Sequence, residues 1–162
     1  MPIQYRLMQI TDCENVAQLL QANSESQGGG LLGDYPLSKV KMMFTHSIHT
    51  IVAYDKNFIV GVVFSFSPYA DTLPPLAKYI TQQFSELMEN NWFYGPVCID
   101  KTYRGKGILQ ALFDALRAKH AGNPIAFINA SNQRSLIAHQ KIGMQEVAQF
   151  TFNNVDYYLV TH

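Results

Sequence analysis

Two glycines separated by one lysine, Gly105 and Gly107, stand where an apolar run gives way to a helical pattern. A helix N-terminus presents unpaired N–H groups and a partial positive charge, so it stabilises an anion, most often phosphate. Glycines lack a Cβ atom, so an anionic oxygen can approach the backbone closely. The segment therefore predicts a phosphate-binding turn, with a ligand-free strand-to-helix turn as the alternative.

Two well-known phosphate loops do not fit this segment. A Walker loop needs Ser or Thr directly after Gly-Lys, but Lys106 is followed by Gly107. A dinucleotide fingerprint needs a third glycine, where Gln110 stands, and an acidic residue about twenty positions further on. We therefore expect neither a nucleoside triphosphate nor NAD as the ligand.

The segment VCIDKTYRGKGILQALFDAL, residues 97–116, resembles the acetyl-CoA pyrophosphate loop of the GNAT superfamily of N-acetyltransferases. The family pattern is Gln/Arg-x-x-Gly-x-Gly/Ala at the start of the central helix. Arg104 and Gly107 match this pattern, whereas Leu109 stands where Gly or Ala is usual. The resemblance places a bulkier side chain near the phosphates.

The segment NASNQRSLIAHQKIGM, residues 129–144, resembles a second element of the same family, Asn-x-x-Ala/Ser-x-x-x-Tyr-x-x-x-Gly-Phe. Three positions are in register: Asn132, Ser135 and Gly143. His139 stands where tyrosine is common, and Met144 stands where phenylalanine is common. Two elements at a family-like separation are more specific than either one alone.

The resemblance implies an N-acetyltransferase that uses acetyl-CoA as cosubstrate and acetylates a primary amine of a small molecule or peptide by direct attack in a ternary complex. It implies a pyrophosphate site built from Arg104, Gly105, Lys106, Gly107, Ile108 and Leu109. It implies pantetheine and oxyanion contacts from the backbone of Val97, Cys98 and Ile99, and further contacts to the cofactor arm from Asn132 and Ser135. The acceptor cleft would be shaped by the first helices, the loop 28–33 and an inserted helix.

His139 is the candidate catalytic residue, because tyrosine at this position is a common general acid toward the leaving thiolate in the family. Histidine can donate a proton near neutral pH, since its unperturbed pKa is about 6.5. The alternative is that His139 only packs or hydrogen-bonds the cofactor arm. No general base stands out, and Glu86 and Glu89 fit solvated charges on a helix face.

Three rival functions stay open at this stage. The chain could be a CoA-binding sensor or partner module without transferase activity. It could transfer a longer acyl group, or use an acceptor other than an amine. It could also be a structural domain whose glycine turn binds nothing.

Composition bounds the class of protein. The length of 162 residues predicts one domain, 1–162, and zero net charge argues against binding to nucleic acid or an anionic membrane surface. Two cysteines form no disulfide framework, and no charged segment followed by a long apolar one indicates a signal peptide or membrane span. We expect a cytoplasmic protein without a metal; association as a homodimer is left open.

The hydrophobic periodicity predicts strands over 3–10, 92–100 and 124–130, hairpins over 49–68 and 144–161, and helices over 11–25, 37–47, 71–91, from the glycines to near 122, and 133–143. Thr11 or Asp12 could cap the first helix, and Asp71 or Thr72 the third. Three successive glycines predict a flexible loop over 26–36, and Gly95-Pro96 predicts a bulge or bend.

This order of elements predicts a mixed α/β fold of the α+β type, with a largely antiparallel sheet and at least one parallel crossover. The resemblance implies a GNAT-like sheet of seven strands with flanking helices. The helix between 71 and 90 would then be an insertion between the third and fourth strands.

Overall fold

The computed structural model describes residues 2–31 and 33–162. In these ranges seven strands form: β1 (Gln4–Leu7), β2 (His49–Asp55), β3 (Phe58–Phe66), β4 (Trp92–Ile99), β5 (Pro124–Asn129), β6 (Gln145–Phe152) and β7 (Val155–Thr161). The same described residues form six α-helices: α1 (Cys13–Ala22), α2 (Leu37–His46), α3 (Pro75–Gln83), α4 (Ser85–Met88), α5 (Ile108–Arg117) and α6 (Gln133–Lys141).

The strands form one sheet in the order β1-β2-β3-β4-β5-β7-β6. β1 with β2, β2 with β3, β5 with β7 and β6 with β7 are antiparallel, whereas β4 with β5 is parallel. The predicted fold class, a mostly antiparallel seven-stranded sheet with flanking helices, is confirmed. Within the described ranges, every helix is too short or too polar to cross a bilayer.

Both predicted hairpins are present, and the turn of the second one follows from residue type. Asn153 and Asn154 join β6 to β7 with φ angles of 49° and 65°. Asparagine tolerates this left-handed region better than most residues, so an Asn-Asn pair suits a two-residue hairpin turn. Lys56 adopts a φ of 55° in the turn between β2 and β3.

Contacts divide the chain into two compact units, and the boundary falls inside β4, after Tyr94. The first unit holds the chain up to Phe66 together with Gly95–Lys119. Its core packs the apolar face of α1 against β2 and β3; the buried members include Val16, Leu19, Leu20, Val52, Val62, Phe64 and Cys98. This α1 face is the stripe that the helical spacing predicts.

The second unit holds Ser67–Tyr94 and His120–His162. Here the inserted helices lie on β6, because the Tyr79 ring is 5.8 Å from the Phe150 ring and 5.1 Å from the Phe152 ring, centroid to centroid. The Phe84 ring also lies 5.8 Å from that of Phe150. These aromatic contacts anchor the insertion within its own unit.

The insertion begins and continues differently from the prediction. Neither Asp71 nor Thr72 caps it: the helix starts at Pro75 with Pro74 as the N-cap residue, because proline suits a first helical turn. The single predicted helix is two, α3 and α4, separated at Phe84, whose φ of −125° is outside the helical range.

The N-terminal elements are also shorter than predicted. β1 ends at Leu7, and a 3₁₀ turn over Ile10–Asp12 precedes α1. Asp12 is the N-cap residue of α1, but its carboxylate accepts from the backbone N–H of Gln9 at 2.8 Å and pairs with Arg6 at 2.6 Å. The guanidinium of Arg6 lowers the pKa of Asp12, although burial opposes this shift.

Internal backbone hydrogen bonds close the first half of the glycine-rich loop after α1. The N–H of Glu25 donates to the carbonyl of Leu31 at 2.8 Å, and the N–H of Gly29 donates to the carbonyl of Ser24 at 2.8 Å. A Cβ atom at Gly29 would lie 1.9 Å from the carbonyl oxygen of Asn23. Close packing, rather than flexibility, therefore requires glycine at position 29.

Candidate functional site

The turn before α5 has the backbone that the two glycines predict. Gly105 and Gly107 adopt φ angles of 76° and 79°, in the left-handed region that favours glycine. A Cβ atom at either position would meet no described atom within 4 Å, so the space beside this turn is open. Glycine is needed here for the backbone conformation and not for packing against the protein.

Gly107 is the N-cap residue of α5 and has no side chain that could bond the first N–H groups of the helix. The first helical hydrogen bond runs from the N–H of Ala111 to the carbonyl of Gly107 at 3.2 Å. The N–H groups of Ile108, Leu109 and Gln110 precede it and cannot bond within a helix that starts at Ile108. The helix start therefore offers backbone donors and a partial positive charge to an anion.

The basic residues of the turn have different environments. Lys106 is exposed, with its Nζ 5.2 Å from the centroid of the Tyr103 ring. Arg104 is half-buried, and its Nη2 donates to the Oδ1 of Asn23 at 2.9 Å. The predicted pyrophosphate segment thus includes one exposed cation and one cation held by a hydrogen bond to the end of α1.

β4 contains the predicted irregularity. The Gly95-Pro96 peptide bond is cis, and Gly95 has a φ of 114°. The parallel pairing of β4 with β5 consists of Trp92 with Pro124 and Phe93 with Ile125. The irregular backbone therefore follows directly after the paired start of the strand.

Beyond Pro96, β4 places its side chains alternately. Cys98 is 5% exposed within the core of the first unit, with its Sγ 3.8 Å from the carbonyl oxygen of Leu19. Burial raises the pKa of this thiol to about 12, so it is protonated and unreactive at neutral pH. Val97 and Ile99 are half-buried. Only backbone groups of Cys98 could therefore contact a ligand, as the resemblance implies.

In the second unit, Asn132 and Ser135 form the start of α6. Asn132 is the N-cap residue, and its Oδ1 accepts from the N–H of Ser135 at 3.2 Å. This side chain satisfies one of the unpaired N–H donors at the start of the helix, as asparagine commonly does at an N-cap. The sequence register of Asn132 and Ser135 thus has a structural basis that involves no ligand.

His139 is 5% exposed, and both of its ring nitrogens have partners. Nδ1 lies 2.8 Å from the carbonyl oxygen of Ser135, and Nε2 lies 3.1 Å from the hydroxyl of Tyr94. Because a carbonyl can only accept, Nδ1 carries the ring proton of the neutral imidazole. Nε2 is then the acceptor, and Tyr94 donates its hydroxyl proton to it.

The protonation states of this pair follow from burial. Burial lowers the pKa of His139, although the hydrogen bond to the Ser135 carbonyl opposes this shift. Burial also raises the pKa of Tyr94. At neutral pH the pair is therefore a neutral phenol that donates a hydrogen bond to a neutral imidazole.

The predicted residues fall into two groups. Those from Val97 to Leu109 belong to the first unit, and Asn132, Ser135 and His139 belong to the second. The sequence motifs do not indicate the hydrogen-bond partners of His139 and Arg104. Tyr94 lies 45 positions from His139 in the sequence, and Asn23 lies 81 positions from Arg104. Only tertiary structure could reveal these pairs.

No family model matches the chain, and no curated protein matches it. Solved structures match it along nearly its whole length. A protein of Streptococcus mutans UA159 is 20% identical with a TM-score of 0.76, and the match covers 98% of both chains. The acetyltransferase of GNAT family from Streptococcus pneumoniae is 14% identical with a TM-score of 0.67, covering 99% of this chain and 98% of that one.

This chain has the GNAT fold. A third structure, Arabidopsis thaliana NAA60 in complex with acetyl-CoA, is 15% identical with a TM-score of 0.71, and the match covers 99% of this chain and 98% of that one. The GNAT fold was the expectation drawn from the two motif segments, and it is confirmed. Fold alone does not determine chemistry, which depends on particular residues of the site.

Proposed function

We propose that the chain is an acetyl-CoA-dependent N-acetyltransferase whose acceptor is a primary amine of a small molecule or peptide. The observation that carries the proposal is the left-handed glycine turn at Gly105 and Gly107, with open space beside it at the start of α5. The GNAT fold supports it, since a structure with this fold, Arabidopsis NAA60, contains acetyl-CoA.

In this proposal the phosphates of CoA bind at the turn. The backbone N–H groups from Arg104 to Leu109 hold the pyrophosphate, and the exposed ammonium of Lys106 adds a contact at the rim. Backbone groups of Val97, Cys98 and Ile99 bond the pantetheine arm and stabilise the oxyanion. Pro96 has no N–H and contributes no donor to the oxyanion. In the second unit, Asn132 and Ser135 bond the pantetheine arm.

The proposed reaction moves one proton from nitrogen to sulfur. The neutral amine attacks the thioester carbonyl and forms the C–N bond; collapse of the oxyanion breaks the C–S bond and releases a thiolate. The amine loses a proton and the thiolate gains one. We assign this transfer to His139: its neutral Nε2, which accepts from Tyr94 in the resting protein, takes up the proton that the amine loses and returns it to the thiolate.

Isothermal titration with acetyl-CoA tests the cofactor assignment, with ATP and NAD as controls. We expect acetyl-CoA to bind, and ATP and NAD to bind much more weakly, because neither of their sequence fingerprints is present. Release of free CoA thiol in the presence of a panel of amines then tests transfer. Absence of acetyl-CoA binding would refute the assignment.

A specific observation favours a CoA-binding module without transferase activity as the second candidate. His139 is buried and both its ring nitrogens are bonded, so it could serve packing alone. Replacing His139 with Phe distinguishes the two: the transferase predicts about tenfold lower turnover with unchanged acetyl-CoA affinity. Binding without thiol release for any amine or acyl chain length would favour the module.

The remaining parts of the proposal concern the chain as a whole. We propose that residues 1–162 act as one acetyltransferase domain and that it works in the cytoplasm. The two cysteines, Cys13 and Cys98, are buried free thiols, as is usual in a reducing compartment.

A further inference from the structure

Asn23, the residue that ends α1, is 5% exposed and uses all four of its polar groups. Its backbone N–H donates to the carbonyl of Leu20 at 3.1 Å, and its Nδ2 donates to the carbonyl of Leu19 at 2.9 Å. Its backbone carbonyl accepts from the N–H of Leu31 at 3.1 Å, and its Oδ1 accepts from Arg104. A buried amide bonded in this way is fixed in place, because breaking any bond leaves an unsatisfied group.

The Oδ1 bond joins Asn23 to the candidate phosphate turn. Arg104 precedes the two left-handed glycines, and its guanidinium has five donors, of which Nη2 reaches Asn23. The carbonyl of Leu19, one turn earlier in α1, also lies 3.8 Å from the thiol of Cys98 on β4. The last turn of α1 is therefore attached to two segments that the proposed function gives to the cofactor.

The backbone carbonyl of Asn23 holds the loop 24–31. It accepts from Leu31 at the end of this loop, and Gly29 packs so closely that a Cβ there would lie 1.9 Å from the same oxygen. Ser24 and Leu31 form a parallel bridge, which closes the loop. One residue thus bonds the phosphate turn through its side chain and the loop through its backbone.

We propose that Asn23 is a positioning residue: it fixes Arg104 beside the phosphate turn and ties this turn to the loop 24–31. Binding of the phosphate-bearing cofactor and closure of that loop then stabilise each other. Such a coupling is reciprocal: the factor by which CoA favours the closed loop is the factor by which the closed loop favours CoA. The inference rests on the proposed function, which places the phosphates of CoA at this turn.

CoA affinity of two matched variants tests the proposal. Asn23→Ala removes the acceptor for Arg104. Asn91→Ala is the control, because the side chain of Asn91, in the turn after α4, likewise donates to a helix carbonyl, that of Leu87 at 2.7 Å, and accepts from the N–H of Asn123 at 2.8 Å. We expect about tenfold weaker CoA binding for Asn23→Ala, the effect of one hydrogen bond to a charged group, and less than twofold change for Asn91→Ala.

A double-mutant cycle separates positioning from a merely structural role. If Asn23 acts through Arg104, then Asn23→Ala combined with Arg104→Met weakens CoA binding no more than Arg104→Met alone. Effects that add would overturn the proposal, since Asn23 would then support folding independently of Arg104.

Hydrogen exchange followed by mass spectrometry tests the coupling even if Asn23→Ala does not fold. Without ligand, Arg104→Met should raise exchange in 24–31, and CoA should slow exchange there in the natural chain. Slower exchange confined to 104–109 would overturn the coupling while leaving the proposed function intact. Absence of CoA binding to the natural chain would refute the proposed function, and the ligand-free comparison would still decide whether Arg104 holds the loop.

Discussion

The helices α5 and α6 begin in opposite ways, although both starts match motifs of the same family. The N-cap residue of α5 is Gly107, which has no side chain and a φ of 79°. The N-cap residue of α6 is Asn132, whose side chain accepts from the N–H of Ser135 at 3.2 Å. A side chain thus satisfies one of the first donors of α6, whereas the N-cap residue of α5 offers no such side chain.

The difference teaches which motif residues have a role without a ligand. Asn132 stabilises the fold by capping α6, so its presence at a family position does not by itself indicate binding. Gly107 gains nothing from packing, because a Cβ there would meet no described atom within 4 Å. The start of α5 is therefore the stronger indication of an anion site, and substitutions at the two helix starts should have different effects.

The largest expected effect is at the start of α5. Gly107→Trp fills the open space beside the turn with a bulky side chain, which would block the anion site. We therefore expect acetyl-CoA affinity to fall about a hundredfold, where each tenfold step corresponds to about 1.4 kcal/mol. Isothermal titration measures this. Gly33→Trp is the matched control, because Gly33 has a φ of 77° and, among the described atoms, a Cβ there would meet only Lys39 Nζ, at 3.5 Å.

Both tryptophan variants should lose stability to a similar degree, because each places a side chain in the left-handed region. Equal loss of acetyl-CoA affinity in the two variants would contradict the special status of α5. It would indicate that backbone strain, rather than a blocked anion site, weakens binding.

The intermediate effect is on the pH dependence of stability, and it concerns His139 in α6. Burial lowers the pKa of His139 below its ordinary value of 6.5. As the pH falls, the unfolded chain therefore takes up a proton that the folded chain resists, and stability is lost. We expect His139→Gln to reduce the loss of unfolding free energy between pH 7.5 and pH 5.5, because glutamine takes up no proton in the unfolded chain. Urea unfolding at both pH values measures it.

The control for this experiment is His46→Gln, because His46 is an exposed residue on α2. This variant should keep the pH dependence of the natural chain. If His139→Gln also keeps it, His139 is not the group whose burial resists protonation, and its assignment as a neutral hydrogen-bond acceptor is wrong.

The smallest expected effect is at the start of α6. Asn132→Ala removes the cap and should cost about 1 kcal/mol of unfolding free energy, whereas Asn132→Asp should cost little, because aspartate also caps. Urea unfolding measures this difference. If Asn132 bonds the pantetheine arm, both variants should raise the KM for acetyl-CoA about threefold; a raised KM in the alanine variant alone would assign the effect to the cap.

Local patterns sufficed for much of the fold. Asn153-Asn154 marked the last hairpin, and the glycines at 105 and 107 marked a special turn, because each depends on backbone conformations that few residue types adopt. Helix starts were harder. Asp71 and Thr72 are good capping residues by type, but Pro74 and Pro75 fix the start of α3 by restricting φ.

The site was predicted in part for a similar reason. Its motif residues are close in sequence, so spacing could indicate them, whereas Asn23 and Tyr94 contact their partners only after folding. The helix predicted over 71–91 is broken at Phe84, where the ring lies against Phe150. The hydrophobic periodicity continues through Phe84, so the periodicity could not reveal the break.

The close approach of Gly29 to Asn23 has a consequence for how this segment can vary. A general substitution matrix would score a replacement equally at Gly28, Gly29 and Gly30. Position 29 admits no side chain without displacing the carbonyl of Asn23, while position 28 meets no described atom within 4 Å and is limited only by its φ of 80°. Evolutionary drift at position 28 should therefore favour asparagine, and position 29 should stay invariant.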